Sequence, residues 1–124
     1  MSHFTSITTQ IKDIKALHDA CLELDLELLE NTAARGIGTQ QHGDFVIRLK
    51  GPCDVALLRQ PDGSHALSSD AWGGHVEKEL GPRHGRLLQS YAIHKATREA
   101  HKRGLTVRRT ALAGGIIKLT LTGA

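Results

Sequence analysis

Eight histidines in a chain of 124 residues invite a search for metal or proton chemistry. A zinc site needs ligands at spacings such as HExxH or CxxC…HxxxH, which turn the donor atoms toward one point. Neither spacing occurs. The nearest candidates are His75 with His84, and His94 with His101. The second pair shares a helical face but stands about two turns apart, too far to chelate one ion alone. The arginines and lysines around it repel a dication. No metal and no cofactor is therefore expected. A serine hydrolase arrangement can be assembled from Ser90, His94 and Asp70, because Ser90 and His94 are four residues apart on one helix face. There is no GxSxG elbow, however, and serine in mid-helix commonly bonds back to its own helix. A buried, hydrogen-bonded His94 is the preferred reading. An enzyme using His94 as general acid or base, helped by Asp70 or Tyr91, is the enzymatic alternative.

The other reactive types are sparse. Cys21 and Cys53 make no CxxC pair and imply no disulfide framework. Cys21 falls on the apolar side of a predicted helix and reads as a small buried hydrophobe. Cys53 follows Gly51-Pro52 in a turn. It would need a depressed pKa and a neighbouring base to act as a nucleophile. The glycines of Gly36-Ile37-Gly38 and Gly73-Gly74 lack both the GxxxxGK[ST] and the GxGxxG spacing, so turns explain them better than phosphate loops.

Charge carries more information. The net charge is +3. Residues 1–61 hold six Lys/Arg against eight Asp/Glu, and residues 62–124 hold ten against five. From Arg83 to Arg109 there are eight basic residues and one acid, Glu99. Such a cluster attracts acidic protein surfaces or polyanions. Aromatics make up 3%: Phe4, Phe45, Trp72 and Tyr91. Trp72 and Tyr91 are too few for a base-stacking platform but enough to anchor one protein contact. The binding residues expected from this reading are Trp72, Tyr91, His94, Lys95, Arg98 and Lys102.

These residues need elements to hold them. One domain fits the length. No apolar run is long enough to span a membrane, and the amino terminus has no apolar core of a signal peptide, so a cytoplasmic protein without membrane insertion is expected. Residues 3–9 alternate as a strand. Ile11, Ile14, Leu17, Cys21 and Leu24 have helical spacing, placing a helix near 12–24. Residues 26–30 read as a second strand, or as a continuation of the helix, and Asn31–Gly43 as a loop or irregular edge strand. Phe45–Leu49, residues 54–59 and residues 64–70 form an antiparallel meander, turned at Pro61-Asp62-Gly63. After a hinge at Trp72-Gly73-Gly74, a helix runs from about Leu87 to Arg103 and ends at Gly104. Its row of Ala92, Ala96 and Ala100 lets it sit close on a sheet. On the opposite side His94, Arg98 and Lys102 make a basic row. Leu105–Ala111 and Ile116–Thr122 close the chain as a hairpin. The class is α+β, in the order β-α-β-β-β-β-α-β-β, with two main helices on a mostly antiparallel sheet.

Four segments carry a family resemblance: MSHFTSITTQIKDIKAL, DFVIRL, PDGSHALSSDAWG and SYAIHKATREAHKRGLTV. Together they resemble the ycf-type "hypothetical chloroplast reading frame thirty-five" family, a bacterial and plastid domain of unknown function, over nearly the whole chain. The sharpest match after the amino-terminal start is Tyr91-Ala92-Ile93-His94-Lys95, where the family shows a Y-x-Y-H-K-like pattern. This chain has Ile93 where an aromatic is common, and Ala71-Trp72 where a pair of aromatics is common. The resemblance implies a small α+β accessory protein, encoded near AAA-type ATPases and another very small protein. The function expected is a non-enzymatic adaptor that binds an acidic protein partner. A nucleic-acid-binding accessory that contacts phosphates is the alternative.

Overall fold

The computed structural model describes residues 3–123. Its class is the expected one, α+β. Strands β1 (Phe4–Ile7), β2 (Glu27–Arg35), β3 (Gln40–Arg48), β4 (Val55–Arg59) and β5 (His65–Asp70) form one antiparallel sheet in the order β1-β5-β4-β3-β2. Helix α1 (Ile14–Glu23) follows β1. A short helix α2 (His75–Leu80) and the long helix α3 (Gly85–Lys102) follow β5. Strands β6 (Thr106–Ala111) and β7 (Ile117–Thr122) pair with each other in a separate two-stranded sheet.

Local chemistry explains most of the boundaries. Asp13 caps α1 by accepting from the Ala16 N–H at 3.1 Å. The helix ends when Asp25 takes a left-handed φ of 58° and Leu26 N–H reaches back to the Cys21 carbonyl. The same closure ends α3 with the residue best suited to it: Gly104 has φ 75°, and Leu105 N–H donates to the Ala100 carbonyl.

The helices cover one face of the large sheet. Ala16, Leu17, Ala20 and Cys21 of α1 meet Ile47, Val55, Leu57 and Leu67 of the strands, with Leu80, Leu87 and Tyr91 closing the core. Val46, Ala56 and Ala34 are buried on the other face without a helix over them. There the β2–β3 hairpin bends over the sheet. Arg35 carbonyl accepts from Asp54 N–H, and Ile37 N–H donates to Asp70 beyond the next strands. Gly43 permits this fold-over, since a Cβ there would lie 3.1 Å from that of Ala56.

One expectation is settled and another is corrected. Asn31–Arg35 belongs to the edge strand β2 and Gln40–Gly43 to β3, so of the two readings of this stretch, loop or irregular edge strand, the strand holds over most of it. Of its small side chains Ala34 is buried, packed with Val46 and Ala56. The Ala92-Ala96 row does not sit on the sheet. Both side chains are exposed, and only Ala100 of that row is buried. Helix α3 reaches the core through Leu87 and Tyr91 and packs beside α1 and β6.

One buried carboxylate ties the strands together. Asp54 is 0% exposed. It accepts from the Arg35 backbone N–H at 2.8 Å, from both ends of the Arg35 guanidinium at 2.9 and 2.8 Å, and from Leu49 N–H at 3.2 Å. Arg48 adds a second cation at 3.5 Å. Burial pushes the Asp54 carboxyl up, but the hydrogen bonds from Arg35 and Leu49 outweigh it and hold the group below its usual range. Replacing Asp54 with Ala is expected to lower unfolding free energy by about 3–5 kcal/mol in urea titrations, because cations and backbone donors lose their shared acceptor. A loss under about 1 kcal/mol would show that water substitutes for the carboxylate.

Candidate functional site

The basic row on α3 lies against α1, and α1 supplies carboxylates for it. Arg98 Nε donates to Asp19 at 2.7 Å. His94 Nε2 meets Glu23 Oε1 at 2.8 Å. Lys95 lies 3.5 Å from Asp13 and 3.0 Å from Glu99, and Lys102 lies 3.4 Å from Glu99. Glu23 also takes a two-pronged contact from Arg109 of β6, at 2.7 and 2.8 Å. The positive half of the sequence is thus partly neutralised by the negative half, along the seam between the helices.

The pairing shows in the acid–base properties of α1. Arg109 first, and then His94, pull the Glu23 carboxyl down to about 2. Arg98 holds Asp19 below its usual range.

Tyr91 has a structural position. Its side chain is in the core, and its hydroxyl oxygen accepts from Lys12 N–H at 3.2 Å and Asp13 N–H at 3.1 Å. It therefore fixes the start of α1. Trp72 stands elsewhere, at the exit of β5, and is 56% exposed. Its backbone N–H donates to Asp70. The six residues expected to make one surface are divided in this way: Tyr91 in the core, His94, Lys95 and Arg98 in the helix seam, Lys102 exposed beside Glu99 of its own helix, and Trp72 at the end of the large sheet.

The candidate chemistries sort similarly. His94 is engaged by Glu23, Asp70 accepts from Ile37 and Trp72, and Ser90 is buried on α3. Burial pushes the Cys21 thiol up to about 12. Cys53 is raised by burial and by the carboxylates of Asp70 and Asp54, and is 0% exposed. Neither thiol is poised as a thiolate. Among the described residues no group of three or more His, Cys, Asp or Glu is placed to hold a metal ion, and no helix is long and apolar enough to cross a membrane.

What the sequence reading passed over is the outer surface of the β6–β7 hairpin. Its register places Val107, Arg109, Ala111, Ile117, Leu119 and Leu121 on one face. That face lies toward the helices, with Arg109 on Glu23 and Gln89 donating to the Gly115 carbonyl at 2.8 Å. The other face carries Arg108 and Lys118 among threonines. Among the described residues neither cation has a carboxylate partner, and neither edge of the hairpin has a neighbouring strand. Leu112, Ile116 and Leu121 are 47%, 59% and 52% exposed. The signal was available: residues 100–123 hold five Lys/Arg and no acid.

Compared with known proteins, the chain matches no family model, no curated protein and no solved structure at a significant level.

Two expectations follow from the seam. Tyr91→Phe leaves two backbone N–H groups without their acceptor and is expected to cost about 1–2 kcal/mol in thermal or urea unfolding. Glu23 has a lower pKa folded than unfolded, so its contribution is complete above the unfolded value of about 4.3 and disappears as the pH falls toward about 2. The stability difference between wild type and Glu23→Gln should therefore shrink between those limits. A difference that stays constant across that range would show the Arg109 contact to be idle.

Proposed function

We propose that this protein is a non-enzymatic adaptor that docks an acidic protein partner on its C-terminal hairpin. The observation that supports it best is the combination found on β6–β7: an acid-free stretch, two cations, Arg108 and Lys118, without carboxylate partners among the described residues, exposed apolar side chains and strand edges with no neighbouring strand there. A two-stranded ribbon is marginal by itself in water, and open edges are a risk that proteins commonly cover. An extended acidic segment answers all of these features. Its backbone adds a third strand, its carboxylates meet Arg108 and Lys118, and its apolar residues cover Leu121. The partner class that the family resemblance implies is an AAA-type ATPase subunit, or the very small protein encoded with it.

This moves the expected surface. Lys95 and Arg98 have carboxylates beside them, so reversing their charge would disturb the helix seam as well as any interface. Arg108 and Lys118 are free of that ambiguity. A phosphate-contacting role in nucleic-acid binding draws on the same cations but makes no use of the apolar rim.

Affinity purification from native cells should recover a partner whose yield survives nuclease and falls about tenfold or more in an Arg108→Glu/Lys118→Glu variant, since like charges placed across an interface repel. Lys12→Glu, at an exposed position away from the hairpin, should leave the yield unchanged. Equal recovery with both variants would overturn the reading. Loss of all partners on nuclease treatment, with binding that drops steeply as salt rises, would replace it with nucleic-acid binding.

A further inference from the structure

We propose that a second site, a groove between the β3–β4 connection and α2, binds a phosphate monoester carrying an apolar body. The groove encloses about 610 Å³, within the size range of small-molecule sites. Lys50 stands on one wall, Lys78 and Arg86 on the other, and Leu24, Leu26 and Pro52 supply apolar lining.

The charges in the groove are not balanced. Lys50 Nζ is shared with Asp25 at 3.0 Å, out at the solvent-facing rim. Among the described residues no carboxylate lies within ion-pair distance of Lys78 or Arg86. Arg86 donates through Nη1 to the Glu79 carbonyl at 2.9 Å, and among the described residues its remaining N–H groups have no protein acceptor. Glu79 is the one carboxylate in the lining, and it is already occupied. Its two oxygens accept from Lys50 N–H at 2.8 Å and Gly51 N–H at 2.9 Å. This contact is informative in itself, because it shows the Lys50-Gly51 turn presenting paired backbone donors to an anion.

An arginine and a lysine without carboxylate partners among the described residues, with Lys50 at the rim held by Asp25, match a doubly charged phosphate better than a single carboxylate. Leucines and a proline beside them call for an apolar portion attached to that phosphate. The source of such a molecule can be a free metabolite or a lipid headgroup, and the chemistry recognised is the same. This inference does not rest on the hairpin, and its test involves none of the hairpin's cations.

The probe is hexyl phosphate, titrated into the full chain and followed by amide chemical shifts. The expected result is saturable shifts at Gly51, Lys78 and Arg86, with tighter binding than inorganic phosphate. Lys78→Glu/Arg86→Glu should weaken binding about tenfold or more, because two charge-assisted contacts become repulsive. Lys78→Glu alone should give a smaller loss, and Lys12→Glu, at an exposed position outside the groove, none. A parallel arm measures co-sedimentation with phosphatidylcholine vesicles containing phosphatidic acid. Binding of hexyl phosphate in solution without vesicle binding assigns a free metabolite, and vesicle binding lost in the double variant assigns a headgroup. Shifts scattered over all exposed lysines, or affinities unchanged in the double variant, would overturn the proposal.

Discussion

The structure depends first on a carboxylate that water does not reach. Asp54 joins the end of β2 through Arg35, the end of β3 through Leu49, and the start of β4 through its own backbone. A charge placed there in isolation would be intolerable. Surrounded by a guanidinium and two backbone donors, it becomes a node that only one arrangement of the chain satisfies. Arg35 extends the node by donating to the carbonyls of Leu49 and Gly51. The β3–β4 connection therefore has little freedom, and the wall of the groove that it builds is held from behind. Glu79 then secures the same connection from the helical side.

A second constraint is electrostatic and spans the chain. Carboxylates at Asp13, Asp19 and Glu23 lie along α1, and cations at Lys95, Arg98 and His94 answer them from α3. Individually, such exposed pairs contribute little. Their value lies in direction: they fix how α3 lies along α1, over a core already closed by Leu17, Leu87 and Tyr91. Arg109 carries the same logic outward by attaching β6 to Glu23.

This explains how much could be read in advance. Phe45–Leu49, the Pro61-Asp62-Gly63 turn, α3 and the closing hairpin declare themselves through local patterns, because a period of two, a turn dipeptide or a terminal glycine needs no distant partner. Thr32, Ala33 and Ala34 gave no such signal. They are small and follow Asn31, whose φ of 50° interrupts the strand, and what makes them strand is the pairing with Gln41, His42 and Gly43. The basic row on α3 was legible as a row. The α1 carboxylates that meet His94 and Arg98 sit 71 and 79 residues away, so its meaning was not. The small size of Ala92 and Ala96 was compatible with either face of the helix, and only the competing burial of Leu87, Tyr91 and Ile93 decided which side turned inward.

The hairpin differs from the rest of the molecule in how it is built. Every rung joins residues of β6 and β7 alone, from Thr106 with Thr122 to Ala111 with Ile117. No strand of the large sheet takes part, and the node at Asp54 does not reach it. Its outward-facing side chains are consequently under little pressure from the folding of the domain behind them. Substitutions on that outward face can therefore accumulate while the sheet, the helix seam and the groove stay as they are.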